Sequence, residues 1–187
     1  MSSRFDILDM PLQGLKLLQC KPIGDHRGYL ERIFCAEELH ALIPNKTIVQ
    51  INRTLTDKRG TVRGMHFQNP PDAETKFVSC LRGEVFDVAV DVRQGSPTFL
   101  HWHAEALSAD NHKALVIPEG FAHGFQTLTD RCELLYLHTA AYKPEAEAGL
   151  NAQDPMLAIR WPAAIVELSF RDASHPLLTR DFSGVAV

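Results

Sequence analysis

The sequence predicts an all-β fold, a sandwich or barrel with a few short helices, in one domain that spans residues 1–187. Its apolar residues fall mainly in short segments that alternate with polar residues, which is typical of strands. Turn residues separate these segments at short intervals, as in β-sandwiches and β-barrels. No GxGxxG or GxxxxGK[ST] motif occurs, which argues against a doubly wound α/β fold and its usual phosphate cradle.

The elements follow from local pattern. One short helix is predicted at residues 36–42, and Pro44 ends it because proline disfavours the helical conformation of the residue before it. The predicted strands are residues 47–52, 61–68, 76–81, 84–92, 98–107, 113–117, 125–128 and 133–139.

The segments 76–81 and 84–92 are predicted to form a hairpin at Arg82 and Gly83, since glycine readily adopts the positive φ of a tight turn. In the second strand, alternate residues from Phe86 face one way, and the set that contains Asp87 and Asp91 faces the other. We therefore expect one face to pack in the core and the other to be partly polar.

Composition excludes several classes of protein. A net charge of -4 and a pI near 6.1 provide no long-range attraction to nucleic acid. No apolar run approaches the length of a membrane span, and residues 1–10 lack the apolar segment of a secretory signal. The cysteines are widely spaced and form no CxxC pair, so we expect them to be reduced and mostly buried. We therefore expect a cytoplasmic protein that binds neither nucleic acid nor membrane.

Ionisable residues and turn glycines cluster inside otherwise apolar segments at residues 25–31, 63–68 and 118–125, and Tyr136 and Tyr142 form a fourth group. Arg63 and His66 are three residues apart and would face opposite sides of a regular strand. Both can face one cavity only if Gly64 permits a bulge. A histidine such as His66 is otherwise explained equally well as a core residue with a backbone partner.

Two further residues have open interpretations. Lys76 begins an apolar strand, and the residues alone favour a side chain that faces solvent at the strand end. Tyr136 shares a strand face with Leu134 and His138, so it is either a core tyrosine or a phenol that points into the barrel and donates a proton.

A metal site is a competing hypothesis. His101 and His103, followed by Glu105, resemble the first motif of metal-binding cupins, and Pro118 to His123 resembles the second. The spacing of the glutamate does not match that motif, and we expect the histidines after the polar turn to be solvated rather than bound to metal.

Taken together, the motifs resemble the dTDP-4-dehydrorhamnose 3,5-epimerase family over about residues 22–176. The most specific strings are Asp25-x-Arg27-Gly28, Gln50-x-Asn52, RGMHFQ at 63–68, GEVFDVAVDVR at 83–93, SPTF at 96–99, IPEGFAHGF at 117–125 and RWP at 160–162.

This resemblance implies a homodimeric, cupin-like jelly roll that epimerises C3 and/or C5 of a nucleotide-linked 4-keto-6-deoxyhexose without metal or coenzyme. By the same resemblance, His66 is the base, Asp172 orients it, Tyr136 is the acid on the opposite face, and Lys76 lies beside the keto oxygen. The residues that match the family's substrate-binding positions are Arg27, Glu31, Gln50, Asn52, Arg63, His123, Tyr142 and Arg171.

The chain departs from the family pattern at two places, residues 150–154 and 137–140, the latter directly after the predicted acid. These departures leave open the nucleotide base, the hexose, and whether C3, C5 or both are inverted. The competing functions are a metal-dependent cupin oxygenase or isomerase and a non-catalytic cupin that binds sugar nucleotides.

Overall fold

The computed structural model describes residues 3–187 and consists mainly of β-strands, as predicted; the first two residues of the predicted domain lie outside this range. The strands are β1 (Phe5–Asp9), β2 (Lys16–Cys20), β3 (Ile23–Asp25), β4 (Gly28–Leu30), β5 (Gln50–Thr56), β6 (Val62–Gln68), β7 (Lys76–Arg82), β8 (Glu84–Asp91), β9 (Trp102–Ser108), β10 (Lys113–Ile117), β11 (Phe121–Thr127), β12 (Cys132–His138) and β13 (Glu147–Gly149). The helices are α1 (Ala36–Leu39), which continues as a 3-10 turn over His40–Leu42, and α2 (Phe170–Ser174).

Two antiparallel sheets form the body of the fold. A six-stranded sheet has the order β1-β2-β10-β7-β12-β5, and a five-stranded sheet has the order β13-β6-β11-β8-β9. The hairpin β3–β4 is separate from both sheets. Sequence neighbours are often not sheet neighbours, so the chain crosses repeatedly between the sheets.

Apolar side chains pack in three layers. The central layer lies between the sheets and combines Val78 and Leu134 from one sheet with Val85 and Phe125 from the other. A second layer covers the outer face of the five-stranded sheet with side chains from the C-terminal segment, and a third covers the six-stranded sheet with side chains around α1. Both sheets are therefore apolar on two faces over much of their area.

The predicted hairpin between β7 and β8 is wrong, although both strands are present. β7 pairs with β10 and β12, whereas β8 pairs with β9 and β11 in the other sheet. Gly83 has the expected positive φ of +75° but directs the chain from one sheet to the other. The alternation of apolar and polar residues identifies a strand but not the strand with which it pairs. β7 and β8 each pair with two other strands, so neither has a free edge for the other.

One face of β8 is partly polar, as predicted, but both faces of the strand are buried. Val88 and Val90 pack under the C-terminal segment, while Asp87 and Asp91 are fully buried on the other face. Asp91 accepts hydrogen bonds from Arg93, Ser96 and Thr98, and Asp87 pairs with His123. Each buried carboxylate therefore has the partners that its burial requires.

Local pattern did not reveal β1–β4, β13 and α2, and it misplaced some strand ends. β5 begins at Gln50 and continues to Thr56, and β11 begins at Phe121, whereas the sequence placed these strands at residues 47–52 and 125–128. β9 begins only at Trp102, because residues 98–101 form a turn in which the His101 N–H donates to the Thr98 carbonyl. No helix within residues 3–187 is long and apolar enough to cross a membrane.

The close packing at Gly83, where the chain passes from one sheet to the other, predicts how much stability is lost when a Cβ atom is added there. A Cβ atom at Gly83 would lie 2.5 Å from Thr129 Oγ1, whereas one at Gly95, which has a similar φ of +74°, meets nothing within 4 Å. We expect Gly95→Ala to lower the free energy of unfolding by about 1 kcal/mol through backbone strain alone. Gly83→Ala adds a steric clash and should lower it by about 2–4 kcal/mol in total. Urea unfolding of both variants checks the difference, and equal losses would contradict the crowding at Gly83.

Candidate active site

A cavity of about 950 Å³ opens between the two sheets. Its walls combine β5, β7 and β12 of the six-stranded sheet with β6, β11 and β13 of the five-stranded sheet, together with α2 and residues 167–169 before it. The predicted residues that line it are Gln50, Asn52, Arg63, His66, Lys76, His123, Tyr136, Tyr142, Arg171 and Asp172. Residues far apart in sequence therefore meet in one space large enough for a nucleotide sugar.

A bulge in β6 brings Arg63 and His66 to the same cavity, as the sequence required. His66 is opposite His123 on β11 while Arg63 is opposite Phe125, so three steps along β6 match two along β11. Gly64 has φ of +119°, and a Cβ there would lie 2.5 Å from the Gly124 Cα. Two glycines on adjacent strands therefore allow the close approach that turns both side chains inward.

His66 and Asp172 form a hydrogen-bonded pair, with 2.7 Å between Nε2 and Oδ1. Asp172 is on the buried side of α2, and its other oxygen accepts from the Gly64 N–H at 3.2 Å. Ser169 caps this short helix by accepting the Asp172 N–H. The bulge and the helix cap therefore both fix the position of the carboxylate.

The electrostatics of this pair decide which imidazole nitrogen is free. Burial by itself would raise the pKa of Asp172, but the hydrogen bond from His66, its charge, and the Gly64 N–H together lower the pKa to about 2. An ionised carboxylate only accepts hydrogen bonds, so Nε2 of His66 donates to it, and Nδ1 is the nitrogen that has a lone pair in the neutral form of the ring. His66 is thus arranged to accept a proton.

Tyr136 lies in the opposite sheet, on β12, so its phenol and the His66 imidazole line the cavity from opposite walls. Burial, followed by the nearby negative charge of Asp87, raises the pKa of Tyr136 well above its usual value. The ring of His123 approaches Tyr136 edge-on at 6.0 Å, and His123 Nε2 is 2.9 Å from Asp87 Oδ2. The phenol therefore stays protonated and is able to donate.

Lys76 faces the cavity, so the interpretation as a solvent-facing strand end is wrong. Its side chain is buried, and Nζ is 3.1 Å from Glu74 Oε1 and 3.3 Å from the His66 carbonyl. Glu74 compensates the cost that burying the ammonium would otherwise carry. Burial would raise the pKa of Glu74, but the hydrogen bond from His138 and the charge of Lys76 lower it.

Glu74 and His138 also line this cavity, and sequence reasoning missed them as site residues. His138 Nδ1 is 2.7 Å from Glu74 Oε2, and the His138 ring stacks on Tyr136 with 6.0 Å between centroids. One signal was available, because His138 is two residues after Tyr136 and so shares its strand face. Glu74 precedes its strand, and no periodic pattern covers it.

The other end of the cavity is more open and polar. Tyr142 is half-exposed, its hydroxyl donates to Glu147 Oε2 at 2.8 Å, and its N–H donates to Gln50 Oε1 at 2.9 Å. Arg171 also donates to Glu147, at 2.9 Å. Glu147, on β13, was not predicted because that three-residue strand has no pattern of its own. This end offers an aromatic surface with cations and amides around it.

Arg27 and Glu31 are not among the residues that line the cavity within one chain. Arg27 lies at the turn of the exposed hairpin β3–β4, where it pairs with Asp25, and Glu31 follows β4 and contacts His112. The hairpin exposes the large side chains of Tyr29 and Leu30. A single chain therefore does not bring these two predicted residues to the site.

The residues of the metal hypothesis do not assemble into one cluster in the described chain. His103 pairs with Glu105, while His123 pairs with Asp87 in the cavity. Among residues 3–187, the one group of three potential ligands that lie within 4.8 Å of one another is His66, Asp172 and His175. Two of these three are the hydrogen-bonded pair described above.

Comparison with known proteins agrees with this geometry. A family model described as dTDP-4-dehydrorhamnose 3,5-epimerase matches residues 9–180. The protein of that name from Salmonella typhimurium is 42% identical over 174 residues, which are 92% of this chain and 94% of that protein. The chain belongs to this epimerase family.

Solved structures of dTDP-4-dehydrorhamnose 3,5-epimerases match the fold closely. The Bacillus anthracis enzyme, with TDP and PPi bound, has a TM-score of 0.89 and 37% identity, covering 93% of this chain and 99% of that one. The Legionella pneumophila enzyme, described as a dTDP-6-deoxy-D-glucose-3,5-epimerase in complex with dTDP-4-keto-L-rhamnose, has a TM-score of 0.88 and 40% identity, covering 92% of each chain.

Membership of the dTDP-4-dehydrorhamnose 3,5-epimerase family confirms the predicted cupin-like jelly roll and the predicted class of enzyme, an isomerase of the epimerase type. The predicted activity, epimerisation of a nucleotide-linked 4-keto-6-deoxyhexose, is that of the family. The metal-dependent and non-catalytic alternatives are not favoured by these relatives.

The depressed pKa of Asp172 predicts how stability depends on pH. The folded chain holds this carboxyl at a pKa of about 2 against the ordinary 3.8, so its contribution to stability is present above about pH 4 and is lost as the pH falls towards 2. Between about pH 5 and pH 2.5, we expect the free energy of unfolding to fall by ~2 kcal/mol less in Asp172→Asn than in the wild type.

Urea unfolding at a series of pH values measures this difference. The pKa of Asp91 is also lowered to about 2, because hydrogen bonds from Arg93, Ser96 and Thr98 outweigh the opposing effect of burial. Asp91 is present in both proteins, so its contribution to the pH dependence cancels. Parallel curves for the two proteins would show that Asp172 is not held in its ionised form by the fold.

Proposed function

We propose that this chain converts dTDP-4-dehydro-6-deoxy-D-glucose to dTDP-4-dehydro-L-rhamnose, by removing protons from carbons next to the C4 ketone and returning them to the opposite face. The observation that carries the proposal is that an oriented imidazole and a protonated phenol line one cavity from opposite sheets. The Legionella pneumophila relative, which has a similar fold, is described in complex with dTDP-4-keto-L-rhamnose, the proposed product.

His66 is proposed as the base. A proton next to a ketone is weakly acidic, so its removal needs a group that is unprotonated near neutral pH, and imidazole meets this requirement. Asp172 holds the tautomer in which Nδ1 is free and stabilises the imidazolium that forms. The carboxylate therefore acts through the histidine and does not itself take the proton.

Lys76 and Arg63 are proposed to stabilise the enolate oxygen. Proton removal moves negative charge onto the ketone oxygen, and a cation fixed beforehand lowers the energy of that state more than that of the neutral ketone. Lys76 is held by Glu74 and by the His66 carbonyl, close to the base. The ammonium is thus close to where the charge develops.

Tyr136 is proposed as the acid. Inversion requires that the new proton arrive from the face opposite the base, and the phenol is on the opposite wall. Its raised pKa keeps the proton in place until a carbanion-like centre is present to accept it. Because the C4 ketone activates both C3 and C5, one base and one acid serve both positions if the ring moves between them.

The substrate is proposed to extend from this centre towards the open end. Tyr142 offers a half-exposed ring on which a nucleotide base would stack, and Arg63 and Arg171 are suited to bind the pyrophosphate. Gln50 and Asn52 provide amides along β5, and His123 provides an imidazole near the sugar. Side chains supply the base, acid and cation, so the proposal includes no metal or coenzyme.

A homodimer is proposed to complete the site. β5 is an edge strand, and Ile51 and Leu55 are exposed on it. The hairpin β3–β4 presents exposed Tyr29 and Leu30 beside Arg27. In a dimer, the hairpin of one chain would carry Arg27 and Glu31 to the cavity of its partner. The cytoplasm is the proposed location, in keeping with four free cysteines.

Proton NMR in heavy water tests the reaction with 4-keto-6-deoxyhexoses linked to dTDP, CDP and GDP. From dTDP-4-dehydro-6-deoxy-D-glucose, we expect deuterium at both C3 and C5 of the wild-type product, and loss of labelling by about 10³-fold in His66→Asn. Tyr136→Phe should still exchange protons, because the base can return deuterium to the same face, but it should form little inverted product.

His40→Asn is the matched control for the base, because His40 is exposed on its 3-10 turn and does not line the cavity. The His40→Asn variant should incorporate deuterium into the product at the wild-type rate. An active preparation whose product contains no deuterium would overturn the proposal, and labelling by His66→Asn at the wild-type rate would remove His66 from its role.

Mixing variants tests the shared site. His66→Asn disables the cavity of its own chain, and Arg27→Ala weakens the hairpin that serves the partner. If equal amounts of both chains exchange freely, about half of the dimers are heterodimers, and each heterodimer has one intact site of its two. We therefore expect the mixture to reach about a quarter of the wild-type rate. The rate is measured before and after mixing, with sedimentation to confirm the dimer. No gain over the separate variants, with exchange of chains verified, would contradict a shared site.

A further inference from the structure

Glu74 and His138 form a buried trio with Lys76 at one wall of the cavity. The Glu74 carboxylate bridges the other two side chains: one oxygen is 3.1 Å from Lys76 Nζ, and the other is 2.7 Å from His138 Nδ1. Each of the three side chains exposes about a tenth of its surface. Buried carboxylates of this kind need partners, and here both oxygens have one.

Sheet register explains why the three residues meet. His138 ends β12 and is directly opposite Lys76, which begins β7, so the two side chains lie side by side on adjacent strands. Asn52 is on the neighbouring strand β5, and its Nδ2 is 3.3 Å from His138 Nε2. The trio is therefore held by three strands of the same sheet.

The hydrogen bonds of His138 fix the orientation of its ring and make it a donor to Glu74. Ionised Glu74 only accepts, so His138 Nδ1 donates to it, and His138 Nε2 is 3.3 Å from the Asn52 amide nitrogen. Both ring nitrogens therefore have a partner, and the Glu74 carboxylate is held in place beside Lys76.

This arrangement fixes the Lys76 ammonium in the cavity, where the proposed mechanism requires a cation beside the enolate oxygen. An ammonium has three N–H donors on a flexible stem. One lies towards Glu74 and one towards the carbonyl of His66, which leaves a third for a ligand in the cavity. Without the carboxylate held in place, the stem would have many more positions available.

We propose that Glu74 and His138 are positioning residues that hold the Lys76 ammonium where the enolate oxygen forms. This inference rests on the proposed function and deepens it, because it assigns a role to two residues outside the predicted set. His138 acts through Glu74, and Glu74 acts through Lys76. Neither residue exchanges a proton with the substrate.

The chain contains a matched control trio outside the cavity. Glu105 bridges Lys113 and His103, with 3.3 Å to Lys113 Nζ and 3.1 Å to His103 Nε2. None of these three residues lines the cavity. His103→Leu therefore removes an imidazole from the same kind of Lys–Glu–His trio without touching the site.

The test measures kcat and KM for epimerisation in His138→Leu, in Lys76→Met and in the double variant. In the otherwise wild-type chain, we expect His138→Leu to lower kcat about 10- to 100-fold, since a misplaced catalytic group loses rate steeply, with KM changed less than about twofold. In the Lys76→Met background, the same substitution should change kcat less than about twofold, because its target is already gone.

Further variants distinguish a positioning role of His138 from a general loss of structure. His138→Gln, whose amide is able to donate to Glu74, should recover most of the lost kcat, and His103→Leu should leave kcat and KM unchanged. Glu74→Gln is measured in both backgrounds as well, so the result does not depend on whether His138→Leu folds. Thermal unfolding of each variant shows which chains are folded.

Several results would overturn the inference. These are an unchanged kcat in folded His138→Leu, an equal loss in the Lys76→Met background, a change in KM alone, or a similar loss in His103→Leu. In each of these cases the wild type still incorporates deuterium, so the proposed function stands. A wild type that labels none of the 4-keto sugars would instead refute the proposed function.

Discussion

A charged group buried between two apolar sheets is stable only if other groups neutralise or hydrogen-bond it, and the cavity of this protein contains several such groups. Three histidines meet three acidic side chains there: His66 with Asp172, His123 with Asp87, and His138 with Glu74. Each pair supplies a hydrogen-bond partner to a buried carboxylate. In the proposed mechanism they also orient the base and hold the Lys76 ammonium in place.

Each of these pairs joins residues far apart in the chain. Asp172 reaches His66 only because a single turn of helix, capped by Ser169, places it beside β6. The bulge at Gly64 is equally necessary, since its N–H donates to the same carboxylate and its shape turns Arg63 inward. One backbone irregularity therefore contributes both to the orientation of the proposed base, His66, and to the position of Arg63.

The sheets give the two proposed proton-transfer groups their relation to each other. His66 is on the five-stranded sheet and Tyr136 on the six-stranded sheet, so they cannot lie on the same side of a ligand between them. Burial keeps the phenol protonated, while the hydrogen bond to Asp172 orients the His66 ring. Opposite roles follow from opposite environments, and an epimerase needs both roles on opposite faces of one ring.

The sequence by itself indicated the all-β class, the strands from β5 to β12 and the short helix, and it showed that Arg63 and His66 share a cavity only with a bulge at Gly64, because each of these depends on local alternation or on one glycine. It did not determine that β7 and β8 belong to different sheets, that Lys76 is buried, or that Glu74 and His138 lie at the cavity. Those features were decided by tertiary structure, since strand pairing and the burial of a charge depend on partners distant in the chain. Local periodicity contains no information about which partner a strand or a carboxylate will meet.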